Sequence, residues 1–108
     1  MKRILLTLLI VLTAFVSKAQ IQYNTENNIS YRTGENLDDY QKERCKLDVY
    51  VPEKSEGFTT VVWFHGGGLT AGEKSIPERL KNKNLGVVAV NYRLSPKVKS
   101  PAYIDDAA

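Results

Sequence analysis

Residues 46–51 alternate in polarity, with Leu47, Val49 and Val51 on one side and Lys46, Asp48 and Tyr50 on the other. That period of two is the pattern of a half-buried strand. Pro52 ends it, and residues 53–57 read as a turn. Residues 59–64 and 87–92 are β-branched and aromatic without the alternation; short continuous apolar runs of this kind fit strands covered on both faces of a parallel sheet. Between them Ser75 and Glu78 have capping-box spacing, Pro77 suits a first helical turn, and Asn84 with Gly86 supplies a stop. A helix with Ile76 and Leu80 on one face is therefore predicted there, which makes strand, glycine loop, helix and strand a βαβ unit. The closing stretch "SPAYIDDAA" reads as the opening of another helix, with Asp105 and Asp106 near its positive end. Residues 20–45 form a polar lead, Asn-rich at its start, in which no element is predicted.

The first nineteen residues follow a different logic. Lys2 and Arg3 precede an apolar run from Ile4 to Val16 broken only by Thr7 and Thr13, and Ser17-Lys18-Ala19 follows. A basic start, an apolar stretch within the usual ~7–15 residues and small residues before a cut after Ala19 describe a secretory signal peptide. The run is too short for a membrane span, which wants ~20 apolar residues. A secreted or periplasmic product is expected. The leader holds three of the fifteen basic residues and none of the twelve acids, so the remainder is formally neutral. Without clustered Lys and Arg, nothing suggests a nucleic-acid partner or an anionic membrane partner after cleavage. Lys97 and Lys99 read as part of a solvated loop.

Cys45 is the single cysteine and His65 the single histidine. No intramolecular disulfide can form, no structural zinc site can be built, and no metal or other cofactor is called for. There is no internal repeat, and the mature length suits one small domain.

The chemistry concentrates in "FHGGGLTAGEKS", residues 64–75. A glycine loop at a strand end can cradle a phosphate or hold an oxyanion, since both tasks need bare backbone N–H groups close to negative charge. The phosphate pattern is a near miss. Gly68 to Ser75 places Glu73 where the second glycine of a P-loop belongs, and a carboxylate there would face the phosphates. The oxyanion reading fits the order His, Gly, Gly, Gly at the carboxyl edge of a strand, where open α/β sheets gather their ligands.

Leu47 to Pro52 ("LDVYVP"), "VVWFHGGG" at 61–68, "GEKS" at 72–75, "VVAVNYRLSP" at 87–96, then Pro101 and "IDDAA", together resemble the N-terminal part of an α/β-hydrolase. The branch is that of carboxylesterases and hormone-sensitive-lipase-like enzymes, which includes secreted polysaccharide esterases. The resemblance implies an α/β fold, a mostly parallel sheet with flanking helices, over residues 46–108. It makes the backbone amides of Gly67 and Gly68 the oxyanion donors, with Gly66 shaping the turn and His65 holding the loop rather than acting as general base. It assigns Tyr92 and Arg93 to packing and anchoring, and an Arg93 pair with Asp105 or Asp106 is expected. Leu69 stands where many relatives carry an aromatic residue. A small-molecule or carbohydrate ester is the implied substrate.

Acyl transfer in such enzymes needs a serine in G-x-S-x-G, then an acid and a histidine. None of the serines lies in that setting and the one histidine is already beside the glycines. No catalytic triad can be assembled, so the chain is expected to be inactive alone, with an uncapped strand edge and exposed apolar faces. Two readings follow: the N-terminal portion of a truncated secreted serine esterase, or a catalytically dead binding or interaction module derived from that fold.

Overall fold

The computed structural model describes residues 19–54 and 56–108. Ala19 apart, the leader reading falls outside the described residues. The elements in chain order are β1 (Tyr23–Ser30), α1 (Asp39–Arg44), β2 (Lys46–Pro52), β3 (Thr60–Phe64), a single 3-10 turn (Glu78–Leu80), β4 (Gly86–Val90) and α2 (Ala102–Ala107). The four strands form one sheet in the order β1-β2-β4-β3. β3 and β4 are parallel, with Val61 opposite Val87 and Trp63 opposite Ala89. β2 pairs antiparallel with β4 and β1 antiparallel with β2, so the sheet is mixed.

The polar lead carries two elements that its composition concealed. β1 is an edge strand whose residues after Tyr23 are all exposed, so it shows no hydrophobic period. Its register shifts between Glu26 and Ile29, a bulge that aims Asn28 at Asp48. α1 is short and closed by a capping box: the Asp38 carboxylate accepts from the Gln41 amide at 2.7 Å, and the Gln41 side chain accepts from the Asp38 amide at 3.2 Å.

The helix predicted between β3 and β4 does not form. Ser75 caps nothing, and the 3-10 turn follows Pro77 without a side-chain cap. The physical reason lies just upstream, where the Lys74 amide donates to Asn91 Oδ1 at 2.7 Å and the Lys74 ammonium reaches Asp48 at 2.7 Å. Those tertiary bonds hold the segment irregular, and Asn82 and Asn84, at φ of 59° and 55°, then turn the chain into β4.

Register places Asp48, Tyr50, Val87 and Ala89 on one face and Leu47, Val49, Val88 and Val90 on the other. The first face is closed over β2 and β4: Val87 and Ala89 are fully buried, and the Tyr50 ring stacks on Tyr23 with centroids 4.5 Å apart. In β2 this reverses the expected orientation, since Asp48 and Tyr50 are buried while Leu47, Val49 and Val51 are half-buried. Asp48 tolerates burial because Lys74 Nζ and the Asn28 amide both bond to its carboxylate. β3 departs from expectation too. It has one neighbouring strand and no helix against it among the described residues, so Val62, Trp63 and Phe64 are exposed rather than covered. α2 forms where the tail pattern placed it. Among the described residues no helix is long and apolar enough to cross a membrane.

Candidate active site

β3 delivers His65 to the carboxyl end of the parallel pair, and the glycine loop starts there. His65 is buried, with its ring stacked on Tyr92 at 4.6 Å, and its backbone carbonyl accepts from the Tyr92 hydroxyl at 2.9 Å. Nδ1 lies 2.8 Å from the Gly66 carbonyl and therefore donates, which leaves Nε2 as the acceptor facing Arg44 Nη2 at 3.5 Å. Both ring nitrogens have protein partners, so the imidazole is arranged to hold the loop.

The loop then folds on itself. The Thr70 and Ala71 amides both donate to the Gly67 carbonyl at 3.2 Å, and the Leu69 carbonyl accepts from the Ser95 amide at 2.8 Å. Gly67 has φ of 130°, and a Cβ there would run into the Ala71 carbonyl oxygen, so the tight return needs glycine. Gly72 backs directly onto His65, where a side chain would collide with Nδ1. Among the described residues the amides of Gly67 and Gly68 have no hydrogen-bond partner. The loop meets an open apolar cleft of about 320 Å³ through Leu69; Phe64, Tyr92, Tyr103, Ile104 and Ala107 line the rest of it. Two unengaged N–H groups on a loop with fixed roots can bond an oxygen that carries negative charge.

The roots are electrostatic. Arg44 bonds Glu73 at 2.7 Å, and Asn91 Nδ2 donates to the other Glu73 oxygen. The Asn91 hydrogen bond, then the Arg44 charge, hold the Glu73 carboxyl below its usual range against the opposing effect of burial. Arg93 makes a two-pronged pair with Asp106, Nε to Oδ2 at 2.9 Å and Nη2 to Oδ1 at 2.8 Å, and its amide adds a bond at 3.0 Å. Burial alone would raise the Asp106 pKa; the Arg93 bonds outweigh it and leave the carboxyl lowered. Burial pushes the Cys45 thiol up, as it does the Tyr31 phenol, whose hydroxyl donates to the Asn91 carbonyl at 2.6 Å. Cys45 is thus a packed core residue with little thiolate character.

Of the residues singled out by sequence, His65, Gly66, Gly67 and Gly68 lie together at the strand end, and Tyr92 packs against them. Arg93 chooses Asp106; Asp105 instead offers its backbone carbonyl to Arg32. Lys74 and Glu73, which a phosphate cradle would need differently, are committed to Asp48 and to the Arg44–Asn91 cluster. Arg44 and Asn91 escaped the sequence reading. Asn91 had left a signal, an amide interrupting an otherwise apolar run, while Arg44 had none.

Comparison with known proteins gives three findings. The BD-FAE family model matches residues 47–108, more than half of the chain. Glutactin of Drosophila melanogaster is 36% identical over 70 residues, which cover 63% of this chain and 6% of glutactin. Among solved structures, esterase B from Lactobacillus Rhamnosis (HN001) superposes with a TM-score of 0.61 at 25% identity over 79% of this chain and 27% of its own. A C6-C4 SN3 inhibited form of esterase B gives 0.63 at 20% identity, covering 98% of this chain and 35% of its own. The sheet is that of an α/β-hydrolase. The chain spans about a third or less of the length of these proteins.

Proposed function

The chain belongs to the BD-FAE family, and on that premise we propose that it is the oxyanion-loop portion of a secreted serine esterase. In this reading the reaction is hydrolysis of a carboxylic ester, with a small-molecule or carbohydrate ester as substrate. The nucleophile, acid and catalytic histidine belong to a part of the full-length protein outside these residues. The observation that carries the proposal is the pair of amides at Gly67 and Gly68, unpartnered among the described residues, on a loop whose ends are fixed by buried side chains and which borders an apolar cleft at Leu69. As a serine oxygen attacks the ester carbonyl, the carbonyl oxygen gains negative charge, and the two amides stabilise it more than they stabilise the neutral ester. His65 acts by holding the loop. The esterase relatives support the reaction class, and the basic start, apolar run and small residues in the sequence of residues 1–19 support export.

The test is to read the coding sequence that follows this chain for a G-x-S-x-G segment, express the full-length protein and assay nitrophenyl acetate hydrolysis. Turnover abolished by replacing the elbow serine with alanine is expected. A full-length protein lacking that serine and showing no turnover would contradict the proposal and favour a binding module, and one hydrolysing the ester equally well without the serine would contradict the serine mechanism.

A further inference from the structure

Arg44 closes α1, yet its guanidinium serves the glycine loop. It is buried, and all three of its nitrogens are used: Nε to the Tyr92 carbonyl at 3.1 Å, Nη1 to Glu73 at 2.7 Å, and Nη2 to the Gly72 carbonyl at 3.2 Å. Nη2 also faces His65 Nε2 at 3.5 Å. These partners are the chain just past β4, the far root of the loop and its near root. The stretch between the roots is bonded mostly to itself, through the Gly67 carbonyl, with the Ser95 amide on Leu69 as an outward link. Its orientation is therefore inherited from His65 at one end and Gly72–Glu73 at the other.

We propose that Arg44 is the positioning residue of the glycine loop, one planar cation that ties both roots to the end of β4 and so sets the direction of the Gly67 and Gly68 amides. Only arginine suits the task, because its rigid fork offers donors in several fixed directions at once, whereas a lysine ammonium is a single point of charge. Glu73 neutralises the cation, and Asn91 holds the second carboxylate oxygen, so the clamp is closed on itself. The purpose of the clamp rests on the esterase reading; its existence does not.

Hydrogen exchange and kinetics on the full-length protein separate the two. In Arg44→Met and Arg44→Lys, exchange in peptides spanning residues 64–75 is expected to quicken by about tenfold or more, the loss of one hydrogen bond to a charged group. Peptides spanning residues 86–92 should keep their protection. Turnover of nitrophenyl acetate should fall by about 100-fold with KM little changed, as for a misplaced catalytic group. A loop as protected in Arg44→Met as in the parent, or fully restored by lysine, would overturn the proposal. Quickened loop exchange in a protein whose parent never hydrolyses esters would uphold the clamp and sink the esterase reading. Should both Arg44 variants unfold, Glu73→Ala decides, since that side chain is 66% exposed and removable without collapsing the core. Faster loop exchange there supports the clamp and unchanged exchange refutes it.

Discussion

At Gly67 an added methyl group would strike the Ala71 carbonyl, whereas at Gly68 it would meet open space. The two proposed donors therefore respond differently to the same substitution. In the full-length protein Gly67→Ala is expected to distort the return of the loop and lower kcat by about 100- to 1000-fold, the scale of losing an oxyanion donor. Gly68→Ala keeps its N–H and costs about 1–2 kcal/mol for a side chain in a left-handed conformation, with a much smaller loss of kcat. Equal losses in a steady-state assay would contradict the assigned geometry. The place of the glycines and His65 in the fold was legible because they form one short run at a strand end. Arg44 was not, because it meets its partners 21 to 48 residues along the chain, a distance at which no local pattern survives.

Among the elements, α2 is tied to the chain after β4 through Arg93 and Asp106, whose carboxylate is completely buried. A double-mutant cycle of Arg93→Met and Asp106→Asn, measured by denaturant unfolding of the full-length protein, should return a coupling of about 0.5–3 kcal/mol. A coupling of zero would mean that the pair is incidental. The same carboxyl gives a pH dependence. Its folded pKa is depressed, so the stabilisation is complete above the unfolded value near pH 4 and is lost as pH falls through the folded pKa; Glu73 acts in the same direction. Unfolding midpoints followed from pH 6 downward should be flat to about pH 4 and then drop, and a drop centred at pH 6 would point to a different group. The strands were readable at this scale from their periods, with boundaries close to those observed. The crossover helix failed because its capping pattern competes with Lys74, whose buried pairing with Asp48 is a tertiary bond outside any window of local sequence. β1 failed for the opposite reason, as an edge strand with solvent on its residues has no apolar period to read.

In the molecule as a whole the two sheet edges are unlike. β1 is polar and bulged, a protected edge, while β3 presents Val62, Trp63 and Phe64 to solvent beside unpaired backbone. The hollow on the Val62 and Phe64 side of the sheet, about 370 Å³ and lined in part by Leu47 and Val88, is likewise open. The isolated 108-residue chain is therefore expected to melt broadly, to associate through β3 and to show no ester turnover; a sharp monomeric transition in calorimetry would contradict this. The measurement that reaches the central claim most directly is a crystal structure of the full-length protein carrying a phosphonate on the nucleophilic serine we propose for it. The account expects the phosphoryl oxygen to lie within about 2.7–3.1 Å of the Gly67 and Gly68 amides, with His65 still bonded to the Gly66 carbonyl. A phosphoryl oxygen held by other donors, with those two amides turned away from it, would contradict the account.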